Sequence, residues 1–109
     1  PNPEETNHGP IEKLRRHLDA KFDSPASLDA LAKRFAISKS HMCRQFKEHT
    51  GKTITAYLNQ RRVEHAIIQL ASTDESIYAI AYQCGFRNLS HFNKVFLTLT
   101  GKRPSQCRL

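Results

Sequence analysis

Apolar residues recur along this chain at intervals of three and four positions, which is the period of an amphipathic α-helix. The pattern predicts six helical segments that begin near residues 11, 27, 38, 53, 76 and 88, and a short terminal helix at Pro104. The strict alternation of apolar and polar residues that marks a half-buried strand is almost absent. The sequence therefore predicts an all-α fold.

Serine and glycine residues mark the ends of several predicted helices. Ser27, Ser38 and Ser76 each precede an apolar periodic segment and are predicted to be N-caps. Thr50 and Gly51 end the third helix, and Gly51 is predicted to adopt the left-handed conformation of a C-cap.

The periodicity also identifies the side chains that are expected to face a core. In the first three helices they are Ile11, Leu14, Leu18 and Phe22; Leu28, Leu31, Ala32 and Phe35; and Met42, Phe46 and His49. In the sixth helix, Phe92, Phe96 and Leu99 take the inward positions.

An internal repeat relates the two halves of the chain. At an offset of 49 residues, Ser27, Ala30, Leu31 and Ala32 correspond to Ser76, Ala79, Ile80 and Ala81. One extra residue in the second copy raises the offset to 50, and similar residues then recur from His41 to Lys52 and from His91 to Lys102. Each copy is a short helix, a tight turn and a second helix with a polar face, which is a helix-turn-helix motif. The alternative is two unrelated helical hairpins in a plain bundle.

The long fourth helix changes its apolar face halfway along. Its first half has Ile54, Tyr57 and Leu58 on one side, and its second half has Val63, Ala66, Ile67 and Leu70 on roughly the opposite side; Ile68 does not fit this change. Such a helix is expected to pack against a different bundle at each end. About twenty residues at ~1.5 Å each span ~30 Å, close to the ~34 Å of one turn of B-DNA, so the helix suits two motifs in successive major-groove segments.

The net charge of the chain indicates which kind of binding partner it has. The chain carries 17 Lys and Arg against 10 Asp and Glu, for a net charge of +7. Because two of the acids lie in residues 1–10, which contain no Lys or Arg, residues 11–109 carry +9. Such a field attracts polyanions, with nucleic acid first and an anionic membrane surface second. No apolar run approaches the ~20 residues of a transmembrane helix, so no membrane span is predicted.

Motifs for catalysis and metal binding are absent from the sequence. Cys43, Cys84 and Cys107 are far apart, and the six histidines are scattered, so neither a zinc site nor a disulfide framework is predicted. This cysteine usage indicates a reducing, cytosolic compartment. No G-x-S-x-G, phosphate-binding glycine loop or H-E-x-x-H occurs. Cys43 could be paired with His41 or with Cys84 as a catalytic nucleophile and its partner, but no residue spacing supports either pair. We expect neither a cofactor nor an enzyme activity.

A basic helical interaction module or an RNA-binding module is the competing function class. RNA-binding proteins commonly present exposed aromatic side chains on which bases stack. Here the phenylalanines fit core positions instead: Phe35, Phe46, Phe86, Phe92 and Phe96. This difference favours double-stranded DNA.

Two polar stripes are the candidate base-contacting surfaces. Ser40, Cys43, Arg44 and Lys47 share one side of the third helix, and Ser90, Asn93, Lys94 and Leu97 share the equivalent side of the sixth. Arginine and lysine donate to guanine O6 and N7, and asparagine pairs with adenine, whereas serine near a helix N-terminus suits phosphate or base edges. The alternative is an ordinary solvated helix face.

The second copy resembles the signature of the AraC/XylS transcription regulators. The residues that carry the resemblance are Ile77, Ile80, Ala81, Gly85, Phe86, Ser90, Phe92, Phe96, Gly101, Pro104 and Arg108. The similarity extends from about Ile11 to Arg108. It implies a seven-helix domain in which a linker helix joins two helix-turn-helix subdomains that bind an asymmetric DNA site in adjacent major grooves.

The resemblance also implies roles for individual residues. The family's base-contacting positions correspond to Ser40, Cys43 and Arg44 in the first motif and to Leu89, Ser90, Asn93 and Lys94 in the second. Arg62 corresponds to an arginine that braces the subdomains. Two residues depart from the family pattern: Leu97 replaces a lysine, which weakens a contact to the DNA backbone, and Cys107 replaces an aromatic residue of the terminal helix.

These observations define the expected organisation. Residues 1–10 are predicted to be a linker or disordered tail, and residues 11–109 the bipartite domain: 11–52 and 74–109 are the subdomains and 53–73 the linker helix. The family resemblance implies an upstream sensing and dimerisation domain, with double-stranded DNA and RNA polymerase as partners. We expect a cytoplasmic, nucleoid-associated regulator.

Overall fold

The computed structural model describes residues 3–25 and 27–108, and every regular element within these ranges is a helix. The seven helices are α1 (Pro3–Ala20), α2 (Leu28–Arg34), α3 (Lys39–Thr50), α4 (Ile54–Ser72), α5 (Ile77–Gln83), α6 (Leu89–Thr100) and α7 (Pro104–Cys107). The prediction of an all-α fold with seven helices is confirmed.

The N-terminal segment differs from the predicted tail. Pro1 and Asn2 lie outside the described residues, but the backbone from Pro3 onward is helical apart from Gly9, whose φ and ψ are 31° and −135°. The segment has no apolar periodicity, so the hydrophobic pattern gave no signal for this helix.

The predicted serine caps are confirmed. The hydroxyl oxygens of Ser27, Ser38 and Ser76 accept hydrogen bonds from the backbone N–H three residues later, at 3.0, 3.2 and 3.0 Å. Asn88 caps α6 in the same way, with its side-chain oxygen 2.7 Å from the His91 nitrogen. Each cap satisfies a donor that the first helical turn leaves unpaired, which defines where these four helices begin.

The turn between the two helices of each motif has the same hydrogen bonds in both copies. The Ile37 N–H donates to the Ala32 carbonyl oxygen at 3.0 Å, and the Phe86 N–H donates to the Ala81 carbonyl oxygen at the same distance. This six-to-one bond is the Schellman closure of a helix C-terminus. The sequence repeat is therefore also a repeat of backbone structure.

The chain divides into two compact units. The first runs to Lys21 and then from Pro25 to Leu58, and the second consists of Phe22–Ser24 and the chain from Asn59 onward. Buried side chains of the first unit are Leu14, Leu18, Leu31, Ala32, Met42, Phe46, Ile54 and Leu58. Those of the second are Val63, Ala66, Leu70, Ile80, Ala81, Cys84, Phe86, Phe92 and Phe96.

Helix α4 supplies buried residues to both units, as the change of its apolar face predicted. Ile54 and Leu58 are buried in the first unit, and Val63, Ala66 and Leu70 in the second. Ile68 is exposed.

Three residues predicted to face a core do not. Ile67 is 40% exposed and Leu99 is 50% exposed. His49 lies at the surface, where its Nε2 is 3.1 Å from Oε2 of Glu12 on α1. Periodicity identifies the side of a helix but not how far the core extends along it. His49 and Leu99 both lie in the last turn of their helices, beyond the buried Phe46 and Phe96.

Candidate nucleic-acid interface

Helix α3 presents a polar face opposite its buried side. Met42 and Phe46 are fully buried, and this fixes the rotation of the helix about its axis. Ser40, Arg44 and Lys47 are consequently exposed. All three are predicted site residues, and their spacing of three or four positions places them on one stripe. The fourth member of the stripe, Cys43, is half-buried.

The polar face of α3 is basic. Lys39, Arg44 and Lys47 are exposed cations, against the single acid Glu48 in this helix. The Arg44 guanidinium lies beside the imidazole of His41, with Nη2 3.3 Å from Nδ1. Both side chains are exposed, so the contact leaves most guanidinium donors facing solvent and available to an acceptor.

Helix α6 repeats this arrangement in the second unit. Phe92 and Phe96 are fully buried, and Ser90, Asn93 and Lys94 are exposed on the opposite side. The predicted residue Leu89 is half-buried because it packs against the core of this unit, so only part of its side chain faces solvent. Leu97, 46% exposed, continues the stripe.

The two helices also end alike. The Thr50 hydroxyl donates to the Phe46 carbonyl oxygen, and the Thr100 hydroxyl donates to that of Phe96, both at 2.8 Å. Gly51 follows with φ of 80°. As predicted, it is a left-handed C-cap. Gly101 has the same role, with φ of 76°. The sequence repeat therefore produces two helices with matching ends and matching exposed stripes.

Arg62, on α4, makes contacts that organise the second unit. Its Nε donates to the Phe22 carbonyl oxygen at 2.7 Å, and its Nη2 donates to the Ser24 carbonyl oxygen at 3.2 Å. The guanidinium carbon is 5.8 Å from the centre of the Phe86 ring. Burial lowers the pKa of Arg62 from its usual value. This side chain bonds backbone carbonyls, in accord with a bracing role within the second unit.

The described residues contain no group of three or more His, Cys, Asp or Glu side chains that could hold a metal ion. The three cysteines are free thiols. Burial raises the pKa of the Cys84 thiol to about 11, so this sulfur is protonated at neutral pH and is a poor nucleophile. Among the helices of residues 3–25 and 27–108, none is both long and apolar enough to cross a membrane.

One exposed surface was not among the predicted site residues. Tyr78 and Tyr82 on α5 are 64% and 69% exposed. They are one helical turn apart, so they share a face. Arg87, in the turn before α6, is also exposed. The available signal was two large aromatic residues at a spacing of four, on the side of α5 opposite Ile80.

Two short helix pairs, each closed by the same turn and each presenting a polar second helix, define a helix-turn-helix protein. A family model described as "Helix-turn-helix domain" matches residues 31–109. The chain belongs to the AraC/XylS family of helix-turn-helix transcription regulators. The resemblance inferred from the sequence is thereby confirmed.

Two transcriptional activators are similar to nearly the whole of this chain. The transcriptional activator RhaS of Escherichia fergusonii is 35% identical over 105 residues, which are 96% of this chain and 38% of the relative. The transcriptional activator RhaR of Escherichia coli K12 is 38% identical over 98 residues, which are 90% of this chain and 35% of the relative. The chain thus spans less than two fifths of the length of these relatives.

Solved structures share the fold. The C-terminal domain of AraT, a response regulator from Geobacillus stearothermophilus, has a TM-score of 0.87 and 25% identity, over 91% of this chain and 83% of that one. The DNA-binding domain of the transcriptional factor AdpA, solved in complex with a target DNA, has a TM-score of 0.84 and 25% identity, over 89% and 87% of the two chains.

Proposed function

We propose that this chain is the DNA-binding domain of a transcription regulator and binds double-stranded DNA sequence-specifically through α3 and α6. The observation that carries the proposal is the pair of exposed stripes, each on the second helix of a helix-turn-helix motif. In such motifs the second helix enters the major groove and its N-terminal half contacts base edges.

The chemistry of the stripes suggests a role for each residue. Arg44 and Lys94 are placed to donate to guanine O6 and N7, and Asn93 to pair with adenine. Ser40 and Ser90, in the first turns of α3 and α6, suit phosphate oxygens or base edges. The half-buried Cys43 and Leu89 offer apolar contact to a thymine methyl group, and Lys47 extends the basic stripe of α3.

A bipartite mode of binding is supported by α4. This helix has 19 residues, or about 28 Å, and is close in length to one turn of B-DNA. It has no break, and it contributes buried residues to both units. We propose that the two motifs bind adjacent major-groove segments on one face of the duplex.

The complete regulator is proposed to carry a sensing and dimerisation domain upstream of this chain and to contact RNA polymerase. The names of RhaS and RhaR, as transcriptional activators, support a role in transcription. We place the regulator in the cytoplasm, in association with the nucleoid.

Competition between nucleic acids tests the proposal. A labelled pool of random duplex DNA is bound, and unlabelled duplex DNA and single-stranded RNA then compete for the protein. We expect duplex DNA to compete more effectively, and affinity to fall with salt with a log–log slope on the order of −4 to −8. Preference for RNA would support the competing RNA-binding class, and a flat salt response would exclude nucleic-acid binding.

A further inference from the structure

A shallow groove lies beside the N-terminus of α6 in the second unit. Its sides are formed by Tyr78 and Tyr82 of α5, Arg87 of the turn, and Leu89 of α6. Its floor includes Ala81 and Phe86, which are buried. The groove therefore combines two aromatic rings, an apolar side chain and a guanidinium, and no acidic residue lines it.

The equivalent surface of the first unit has a different chemistry. At the repeat offset, Tyr78 and Tyr82 correspond to Asp29 and Lys33. Leu89 corresponds to Lys39, whose Nζ lies 3.5 Å from an Asp29 carboxylate oxygen. The first unit thus carries an ion pair where the second carries a tyrosine and a leucine.

Arg87 has no counterpart in the first unit, because it is the extra residue in the second turn. The first turn passes directly from Ile37 to the N-cap Ser38, whereas the second inserts Arg87 between Phe86 and the N-cap Asn88. The insertion places an exposed cation immediately before the helix that carries the second polar stripe. It also adds the single positive charge among the residues that line the groove.

A DNA strand has the complementary chemistry. Its deoxyribose carbons are apolar and pack on aromatic rings and on leucine, while its phosphate oxygens accept from guanidinium and from tyrosine hydroxyl groups. In a helix-turn-helix the first helix crosses the DNA backbone while the second enters the groove. The groove lies between these two helices, and Leu89 belongs both to its side and to the predicted base-contacting set.

We propose that one sugar–phosphate strand of the duplex that α6 contacts passes over this shallow groove, with Arg87 and the hydroxyl groups of Tyr78 and Tyr82 donating to its phosphates. The proposal rests on the proposed function and assigns three residues to it that the family resemblance did not. These residues position α6 on the duplex, and they do not select bases.

Phosphate ethylation interference on a selected binding site tests the proposal. In the wild-type protein, we expect interference at phosphates that flank the segment bound by α6. In Arg87→Ala, interference should disappear at one or two of those phosphates and remain elsewhere. Affinity should fall by about tenfold for all sequences, and the salt slope should decrease in magnitude by about 1. An interference pattern identical to the wild type would overturn the proposal.

Lys102→Ala is the matched control for loss of one charge. Lys102 is exposed in the same unit but follows the other end of α6. If Arg87→Ala and Lys102→Ala lose the same DNA affinity, the effect of Arg87 comes from the protein's overall positive charge. That result would overturn the proposed contact. Circular dichroism and thermal unfolding establish that both variants are folded.

The double variant Tyr78→Phe, Tyr82→Phe removes only the hydroxyl groups. We expect weaker binding with an unchanged salt slope, because no charge is lost. Unchanged duplex affinity in this variant and in Arg87→Ala would overturn the proposal. If the wild-type protein itself bound no duplex, the proposed function would fail.

Discussion

Ala36 and Gly85 occupy equivalent positions in the two helix-turn-helix turns, and both have positive φ, 53° and 103°. Each is the residue whose left-handed conformation allows the Schellman closure of its helix. Glycine adopts this conformation at low cost, whereas alanine pays for contact between its Cβ and the carbonyl oxygen. The second unit therefore has glycine, the residue that favours left-handed backbone, at this position, whereas the first unit has alanine.

We predict that Ala36→Gly stabilises the protein by about 0.5–1 kcal/mol, because relief of left-handed strain exceeds the added entropy of the unfolded chain. The measurement is the free energy of unfolding from urea denaturation, with DNA affinity as a check that the fold is retained. A loss of stability would show that Ala36 is not strained.

The reciprocal variant, Gly85→Ala, should be destabilising by about 2 kcal/mol or more, because strain and crowding act together. A Cβ at this position would lie 3.0 Å from Arg62 Nε and 3.1 Å from both the Cα and the carbonyl oxygen of Asp23. The backbone of Asp23 cannot move aside as a flexible side chain would. Urea denaturation of Ala36→Gly and Gly85→Ala gives the two changes in the free energy of unfolding. If Gly85→Ala destabilises the protein no more than an ordinary surface substitution does, a Cβ at this position is not crowded.

Acid stability should depend on Glu12. Hydrogen bonding from Arg15 is the main cause that lowers the pKa of this carboxyl from 4.5 to about 2, and the hydrogen bond to His49 contributes further. Since the folded pKa is the lower one, the unfolded chain takes up the proton first. The stabilisation is therefore complete above pH ~5 and lost as pH falls toward 2.

Glu12→Gln should remove this contribution. We expect lower stability than the wild type at pH 7 and a shallower decline of the free energy of unfolding between pH 5 and 2. Glu48→Gln, which removes an exposed carboxylate on α3, is the control. Identical slopes for Glu12→Gln and the wild type would show that the ion pairs of Glu12 do not contribute to stability.

Base preference should separate into two halves of the site. Arg44→Ala is expected to cost on the order of 1–3 kcal/mol and to relax specificity in one half, and Lys94→Ala should do so in the other. Selection of bound sequences from random DNA with each variant measures this. Lys13→Ala, at an exposed position on α1, controls for charge. Equal weakening on all sequences would instead mean that Arg44 and Lys94 contact phosphate.

Spacing between the two half-sites should be fixed. An insertion of about 5 bp between them turns the second half-site to the far side of the duplex, so specific affinity should fall by several kcal/mol if both motifs contribute. A proline at Glu64, inside α4, should weaken binding to the intact site more than binding to an isolated half-site. If the insertion has no effect, one motif alone binds specifically.

Much of the fold follows from local sequence. Caps at Ser27, Ser38 and Ser76 and the end of α3 at Gly51 were predictable because each depends on one residue and its immediate neighbours. The strained turn at Ala36 was not, because alanine is not a residue type that signals left-handed backbone.

Long-range contacts are the part that the sequence pattern could not supply. The resemblance implied a bracing role for Arg62. Its carbonyl acceptors, Phe22 and Ser24, lie 40 and 38 positions away in the sequence, so no local pattern could identify them. The position of His49 beside Glu12 likewise depends on how α1 packs on α3. The exposed stripes could be predicted from periodicity and charge, and their base contacts remain predictions.

The inclusion of Phe22–Ser24 in the second unit has a practical consequence for dissecting the protein. The chain enters the second unit for three residues, returns to the first, and enters the second again at Asn59. No single cut therefore yields two complete halves. A fragment that begins at Asn59 would lack the carbonyl groups that Arg62 binds. To isolate the second motif as an autonomous module, Phe22–Ser24 would have to be joined to the fragment, for example by circular permutation. Truncation alone would not be enough.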